Sequence, residues 1–275
     1  MKVQQDSQKH TGQHGGRTRF GIAAAAVVAL VAVGAVLYYG HIHSLKSRLL
    51  MATPDSIPAQ PDLVDFARPI GRKAYANHCA ECHGADLKGD SMKGVPNLID
   101  SDFLYGTGRL SEIERVVMYG IRSGSSKGWD LASMPAYGTP TPYSRYELAS
   151  LSPREIDDLV AYLRSFQNLV EDQEAVKRGE ELFHAYKKGV CWDCHATDAM
   201  GDSAIGAPNL TDTTWLYGDG SAAWIRHSIT FGLGGACPAW VNDLSLTTIR
   251  SIAVYIYSLL PPRVTRTASA GTEPN

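Results

Sequence analysis

Apolar residues form one uninterrupted run near the N-terminus and are spaced periodically elsewhere. The run from Phe20 to Tyr39 carries no charge and is long enough to cross a bilayer as a helix. Each half of the remaining chain ends in apolar residues at helical spacing, which are Ile156, Leu159, Tyr162 and Leu163 in the first half and Ile249, Ile252 and Ile256 in the second. The pattern predicts an all-α protein with a single N-terminal transmembrane helix, residues 20–40.

The residues that flank the apolar run indicate how it lies in a membrane. Tyr38 and Tyr39 suit a membrane interface, whereas a signal peptide ends in small residues, so an anchor is favoured over a cleaved signal. Basic residues are more frequent before the run (Lys2, Lys9, Arg17 and Arg19) than just after it (Lys46 and Arg48). This bias predicts a disordered cytoplasmic tail, residues 1–19, and a periplasmic location for the bulk of the chain, at the bacterial inner membrane.

The chain beyond residue 66 is an internal repeat. Cys79-Ala80-Glu81-Cys82-His83 recurs 112 positions later as Cys191-Trp192-Asp193-Cys194-His195, and Pro96-Asn97-Leu98 recurs at the same offset. The offset then falls to 103, which aligns Met134 with Cys237. Two copies of one domain are therefore predicted, each beginning and ending with a helix.

The repeat also sets the predicted domain boundaries. These are an extended, proline-containing tether at residues 41–66, two tandem domains at residues 67–168 and 174–260, and a disordered tail at residues 261–275. A glycine lies on the first helix of each copy, Gly71 and Gly179. Because glycine has no side chain, the last helix of the same copy is expected to cross the first one closely at that point.

Composition narrows the possible functions. The formal net charge is −2 and 44% of the residues are hydrophobic, so the chain has no global field suited to nucleic acid, which is not an expected partner. Five cysteines are present, of which four belong to the two repeated motifs and one, Cys237, is left over.

C-x-x-C-H is the attachment signature of c-type haem. Two thiols one helical turn apart each form a thioether with a haem vinyl group, and the adjacent imidazole reaches the iron. Two covalently bound haem c groups are therefore predicted, held by Cys79 and Cys82 with His83, and by Cys191 and Cys194 with His195. A redox dithiol or half of a zinc site is the competing interpretation of each motif.

The loop after each motif is predicted to support the proximal histidine. Gly94 to Leu98 and Gly206 to Leu210 are equivalent segments that should pass near each imidazole. A backbone carbonyl there would accept a hydrogen bond from histidine Nδ1, which fixes the ring and raises its basicity as a ligand.

Met134 is the predicted distal ligand of the first haem, because it precedes the last helix of the first copy in a Met-Pro-Ala-Tyr run. Met92 is too close to the proximal loop, and Met118 lies on a predicted helix where packing in the core is expected. A thioether ligand stabilises ferrous iron and raises the potential.

The equivalent position in the second copy is Cys237, and no methionine follows Met200. Three interpretations remain open: Cys237 ligates the second iron as a thiolate; the site lacks a strong sixth ligand or takes one such as His227 or His184; or Cys237 is a plain buried thiol. A thiolate would stabilise ferric iron and place this haem at the lower potential.

Residues 67–260 resemble the membrane-anchored dihaem cytochrome c subunit of the cbb-type haem–copper oxidases. The resemblance rests on the anchor followed by two domains, on Pro-Asn-Leu and then Phe/Trp-Leu-Tyr-Gly after each motif, on Met-Pro-Ala before the last helix, and on the endings Leu-Val-Ala-Tyr-Leu-Arg-Ser and Ile-Ala-Val-Tyr-Ile-Tyr-Ser-Leu. Cys237 departs from the family's second methionine.

The resemblance implies an electron-transfer subunit with no bond-making chemistry of its own. Its partners would be a soluble or membrane-bound electron donor and an integral-membrane respiratory complex that reduces oxygen. It also implies thioethers at the four motif cysteines, His83 and His195 as proximal ligands, and Met134 as a distal ligand. Two other functions compete: a dihaem sulfur-compound oxidoreductase with a His/Cys-ligated haem, and gas or redox sensing at that haem.

Overall fold

The computed structural model describes residues 15–139, 141–143, 146–169 and 172–262. Within these ranges the α-helices are α1 (Gly15–Met51), α2 (Pro61–His78), α3 (Ala80–His83), α4 (Leu110–Tyr119), α5 (Pro153–Ser165), α6 (Gln173–Phe183), α7 (Trp192–His195), α8 (Ala222–Phe231) and α9 (Leu246–Tyr257). Short 3₁₀ helices lie at Pro54–Ala59 and Ser91–Lys93. The prediction of a mostly helical protein is therefore confirmed.

One short β-hairpin is added to the helices. Its strands, β1 (Thr141–Tyr143) and β2 (Tyr146–Leu148), pair in antiparallel register with Thr141 opposite Leu148. The hairpin lies between Met134 and α5, in a stretch of the first copy that has no counterpart in the second. Ser152 begins α5 by accepting a hydrogen bond from the Glu155 amide, while the Glu155 carboxylate accepts one from the Ser152 amide.

The chain divides into two units, residues 1–48 and 49–275. The first contains most of α1, whose segment Ala25–Met51 has a mean hydropathy of 2.0 and is long and apolar enough to cross a membrane. This segment agrees with the predicted anchor, although the helix begins at Gly15, within the predicted tail. Residues 1–14 of that tail, and most of the predicted tail at residues 261–275, lie outside the described residues.

The prediction of an extended tether at residues 41–66 is wrong. No proline stands between Tyr39 and Pro54, and α1 continues through Gly40 to Met51. Pro54 then starts a 3₁₀ turn, and Pro61 occupies the first turn of α2, where its missing N–H costs no hydrogen bond. The helix before the first motif therefore begins six residues earlier than the predicted domain boundary.

The two copies exchange their last helices, which corrects the prediction that each copy packs on itself. The first helix of the first copy, α2, packs against the last helix of the second copy, α9. The first helix of the second copy, α6, packs against the last helix of the first copy, α5. The close crossings at glycine are present, but the helix that crosses comes from the other copy. A Cβ on Gly71 would meet the carbonyl of Ser251 in α9, and a Cβ on Gly179 would meet the carbonyl of Asp158 in α5.

The exchange divides residues 49–262 into two modules that differ from the sequence copies. The inner module is residues 132–234, and its core joins Leu159 and Leu163 of α5 to Phe183 of α6. The outer module is residues 49–131 together with 235–262, and its core joins Tyr75 of α2 to Ile252 of α9. The second copy thus supplies the end of the outer module, and the first copy supplies the beginning of the inner one.

Equivalent contacts on both sides relate the modules by an approximate two-fold axis. The Gly106 amide donates to the Ser203 carbonyl (3.0 Å), and the Gly218 amide donates to the Ser91 carbonyl (2.8 Å). Each donor and each acceptor lies 112 positions from its equivalent, so the two bonds are copies of one interaction. The interface between the modules is therefore built from the repeat itself.

A buried ion pair joins α9 to α4 and to the end of α1. Arg250 donates to both carboxylate oxygens of Glu114 (2.9 and 3.0 Å), and the two side chains are only 13% and 10% exposed. Its Nη1 also donates to the carbonyls of Leu49, Leu50 and Ala52.

We expect Arg250→Met to lower the free energy of unfolding by about 3–5 kcal/mol, because it leaves the Glu114 carboxylate buried without its cation. Denaturant unfolding of the chain without residues 1–40 measures this. The matched control is Arg226→Met, whose pair with Asp157 is 47% and 53% exposed and should cost less than about 1 kcal/mol. Equal losses of unfolding free energy in the two variants would contradict a larger contribution from the buried Arg250–Glu114 pair.

Candidate haem-binding sites

Each C-x-x-C-H motif forms one short turn of helix after the first helix of its copy. The turn follows α2 at once in the first copy, whereas residues 184–191 separate it from α6 in the second. In the first motif the His83 amide donates to the Cys79 carbonyl at 3.0 Å, and in the second the His195 amide donates to the Cys191 carbonyl at 2.9 Å. This turn places the two cysteines of a motif on one side with the histidine adjacent, which is the arrangement that two thioethers and an axial imidazole need.

The predicted support of the two histidines is present in both modules. The Pro96 carbonyl lies 3.2 Å from His83 Nδ1, and the Pro208 carbonyl lies 3.0 Å from His195 Nδ1. A carbonyl can only accept, so Nδ1 carries the proton and Nε2 is left with its lone pair for a metal. Burial lowers the pKa of both imidazoles, while the carbonyl contact opposes this shift. Both rings are therefore held neutral and ready to coordinate.

A large apolar cavity lies beside the second motif. The space between its walls, including the solvent at its open mouth, is about 1220 Å³. Its walls include aliphatic and aromatic side chains such as Leu159, Phe183 and Trp215, and every lining residue belongs to the inner module. Apolar walls with two thiols and an imidazole among the lining groups, those of Cys191, Cys194 and His195, fit a porphyrin.

Met134 lies in the cavity of the second motif, together with His195. The sequence assigned Met134 to the first haem, and the packing corrects that assignment. The Met134 amide donates to the Leu233 carbonyl at 3.1 Å, and the Tyr137 amide donates to the Ile229 carbonyl at 3.0 Å, so the Met-Pro-Ala-Tyr segment is bound to the end of α8. The helix exchange carries Met134 into the inner module along with α5.

Cys237 lies beside the first motif, which is the reciprocal correction. Its amide and carbonyl each form a 2.9 Å hydrogen bond with Ile121, just after α4. The Trp240 ring lies 5.1 Å from the ring of His78, directly before Cys79. The pKa of Cys237 is raised to about 11, chiefly by burial and further by the nearby Cys82. Its candidate iron is therefore the one held by His83.

The thiols do not have the properties of a catalytic dithiol. Burial raises the pKa of Cys191 to about 12 and that of Cys79 to about 11. A redox dithiol needs a lowered thiol pKa to supply a thiolate at neutral pH. Among the described residues no three His, Cys, Asp or Glu side chains come together as a zinc site would require. The raised thiol pKa values therefore disfavour the redox dithiol.

The other candidate axial ligands are placed elsewhere. His184 has both ring nitrogens within 2.9 Å of backbone carbonyls, those of Glu180 and Thr197. His227 is exposed and packs edgewise on Trp224. Met92 and Met200 are 59% and 60% exposed. Met118 packs against the outer core, as the sequence predicted. Met134 and Cys237 therefore remain the candidates for the distal positions.

Three interface residues were missed by sequence reasoning. Tyr105 and Tyr217 were noted only as part of a repeated Leu-Tyr-Gly motif, and Arg122 was not singled out. In the structure, Arg122 Nη1 donates to the Tyr105 hydroxyl at 3.0 Å, at the junction of the modules. The offset of 112 was a usable signal. It pairs Tyr105 with Tyr217, so the tyrosine is present in both copies, and it pairs Arg122 with Gly234, so the arginine is present in only one.

Comparison with known proteins identifies the family. Residues 70–167 match the family model "Cytochrome c", and residues 174–256 match "Cytochrome C oxidase, cbb3-type, subunit III". The chain is 39% identical over 215 residues to the "Cbb3-type cytochrome c oxidase subunit FixP" of Azorhizobium caulinodans, covering 78% of this chain and 67% of the relative. The chain belongs to the cbb3-type oxidase subunit III family.

Further members of the subunit III family show the same relation. The "Cbb3-type cytochrome c oxidase subunit CcoP" of Rhodobacter capsulatus is 35% identical over 224 residues, covering 78% of this chain and 70% of the relative. The FixP subunit of Bradyrhizobium sp. (strain ORS 278) is 37% identical over 212 residues, covering 77% and 67%. The cytochrome c domains of this subunit III family member imply covalently bound haem c, in agreement with the sequence prediction.

Proposed function

We propose that this chain is the dihaem electron-transfer subunit of a membrane-bound cbb3-type oxygen reductase. In this role it passes electrons from a soluble or membrane-bound donor to the integral-membrane complex. The observation that carries the proposal is the pair of C-x-x-C-H turns, one in each of two modules joined across a two-fold interface, in a chain whose relatives are named as oxidase subunits.

Each haem c supplies one-electron redox chemistry when bound. The cysteines of each motif would hold the group covalently, and His83 and His195 would present Nε2 to the iron. The Pro96 and Pro208 carbonyls hold the imidazole rings in one orientation. The apolar walls of the inner cavity exclude water, which limits reorganisation when the charge of the site changes. Met134 would offer a thioether to one group and Cys237 a thiol sulfur to the other, and this difference would separate the two potentials.

The anchor determines where this transfer occurs. With α1 across the bacterial inner membrane and the N-terminus in the cytoplasm, both modules face the periplasm. Tethering them to the membrane raises their effective concentration at the partner complex without any additional contact. The haem domains then take electrons on the periplasmic side and deliver them to the membrane-embedded partner.

The test is to purify the full chain after expression with periplasmic haem attachment and to count haem by the pyridine haemochrome assay. We expect two haems per chain, and rapid reoxidation of the reduced chain by membranes that contain the oxidase core. A variant without residues 1–40 should keep both haems but be reoxidised more slowly at equal concentration. One haem per chain, or no difference between the two forms, would contradict the proposal.

A further inference from the structure

The guanidinium of Arg122 bridges equivalent points of the two modules. Nε donates to the Gly235 carbonyl at 2.6 Å, and Nη1 donates to the Ala132 carbonyl at 3.0 Å. Ala132 and Gly235 are 103 positions apart, the offset that aligns Met134 with Cys237. One side chain therefore binds the same carbonyl in both copies, which places it on the approximate two-fold axis between the two candidate haem sites.

Two equivalent tyrosines accompany Arg122, and each reaches into the module of the other. The Tyr105 ring occupies the space beside Gly206, a residue of the inner cavity, and the Tyr217 ring occupies the space beside Gly94 of the outer module. The Tyr105 hydroxyl contacts Arg122 directly. Burial raises the pKa of Tyr217, and the charge of Arg122 partly opposes that shift, which shows that both rings lie near the same cation.

The first copy has an arginine at this position, whereas the second copy has a glycine. The position equivalent to Arg122 in the second copy is Gly234, 112 residues later. A Cβ on Gly234 would press against the Ser133 side chain and would lie 3.7 Å from Nε of Arg122. A side chain there would crowd Ser133 and Arg122, and with glycine at Gly234 the single guanidinium serves a point that both copies share.

Arg122 is held in an unfavourable backbone conformation. Its φ is +47°, in the left-handed region that costs a non-glycine residue about 1–3 kcal/mol. Glycine would adopt this φ without that cost. The side chain is therefore positioned at some expense in stability, and Nη2 has no hydrogen-bond partner among the residues that the structure describes.

We propose that Arg122 is a shared cation that pairs with propionate carboxylates of both haems at the two-fold axis. The inference rests on the proposed function, since it requires two haems. Each haem carries two carboxylates, and a carboxylate held at a partly buried interface needs a charged partner. The bonds to Gly235, Ala132 and Tyr105 fix the plane of the guanidinium and leave the two N–H groups of Nη2, one for each of two carboxylates. Ala132 and Tyr217, both close to Arg122, line the inner cavity.

The positive charge of Arg122 should raise the redox potentials of both haems. A cation beside the carboxylates of a haem favours the ferrous form, so removing it favours the ferric form at both sites. Spectroelectrochemical titration of the full chain should show, for Arg122→Gln and Arg122→Gly, at least a tenfold fall in the ferrous-to-ferric ratio of each haem at fixed potential. Tenfold corresponds to about 59 mV for a one-electron couple.

Two further variants separate this role from a structural one. Arg122→Lys keeps the positive charge but loses the planar guanidinium and its several N–H donors. Both potentials should therefore fall by less than in Arg122→Gln. Arg115→Gln is the matched control, because the Arg115 guanidinium lies 4.4 Å from the Trp129 ring, and that ring packs on Tyr105. Arg115→Gln also removes one positive charge next to these aromatic rings, but Arg115 is exposed to solvent. This variant should therefore leave both potentials unchanged.

Arg122→Gly decides the matter if Arg122→Gln folds poorly, because glycine relieves the positive φ. Unchanged potentials in a glycine variant that carries both haems would overturn the proposal. A shift of one haem alone would overturn the shared role. A pyridine haemochrome count below two in the unsubstituted chain would instead contradict the proposed function, so the two failures are distinguishable.

Discussion

Replacing Cys237 with methionine should raise the midpoint potential of the haem bound at Cys79 and Cys82, and leave the other haem nearly unchanged. Cys237 lies beside the first motif, so the sulfur that changes belongs to that site. A thiolate stabilises ferric iron, whereas a thioether favours ferrous iron. The expected rise is on the order of 0.1–0.3 V, a part of the roughly 0.8 V range that axial ligands span. Spectroelectrochemistry and low-temperature EPR of the oxidised protein measure it.

The reciprocal variant, Met134→Cys, is the matched control. It should lower the potential of the haem bound at Cys191 and Cys194, since Met134 lines the cavity that contains His195. In EPR the unsubstituted chain should show one low-spin thiolate signal, Cys237→Met none, and Met134→Cys two. Identical spectra for Cys237→Met and the unsubstituted chain would contradict thiolate ligation by Cys237.

The local features of both sites could be predicted from the sequence because they depend on neighbouring residues. The motif turns follow from the spacing of Cys79, Cys82 and His83, and the carbonyl that supports each histidine follows from the proline loop thirteen residues later. The glycine crossings were also predicted as close approaches. These features have the same form in either copy, so they do not depend on how the copies are paired.

The pairing of the copies could not be predicted from their similarity. Both first helices present a glycine and both last helices present a matching backbone, so α2 fits α5 or α9 equally well at the level of pattern. One signal pointed to the observed pairing. The chain passes from Ser165 at the end of α5 to Gln173 at the start of α6, and such short connections favour packing of consecutive helices against each other.

The exchange has a functional consequence for the distal ligands. In the order of the sequence, Met134 follows the first motif and Cys237 follows the second. The packing gives each motif the distal residue of the other copy, so the thiolate candidate belongs to the outer haem site and the thioether candidate to the inner one. The lower-potential haem is therefore expected at Cys79 and Cys82, the reverse of the sequence prediction.

A fragment of residues 132–234, expressed with periplasmic haem attachment, should fold alone and bind one haem c. All described residues that line the cavity of the second motif lie within this range, and so do both helices of its core crossing, α5 and α6. Its two ends lie side by side, because the Met134 amide donates to the Leu233 carbonyl. Size-exclusion chromatography, the pyridine haemochrome assay and thermal unfolding of the fragment measure the outcome.

The matched control is a fragment of residues 67–168, which is one complete copy by sequence. It contains the first motif but lacks α9, whose Ile249, Ile252 and Ile256 supply much of the outer core. It also ends in α5, whose buried residues Leu159 and Leu163 would lose α6 as their partner. Because each exposed helix face forfeits several kcal/mol of apolar burial, at about 25 cal/mol per Å², this fragment should be aggregated or poor in haem. A stable 67–168 fragment beside an unfolded 132–234 fragment would mean that each copy packs on itself, and the assignment of Met134 and Cys237 to opposite haems would then fail with the exchange on which it depends.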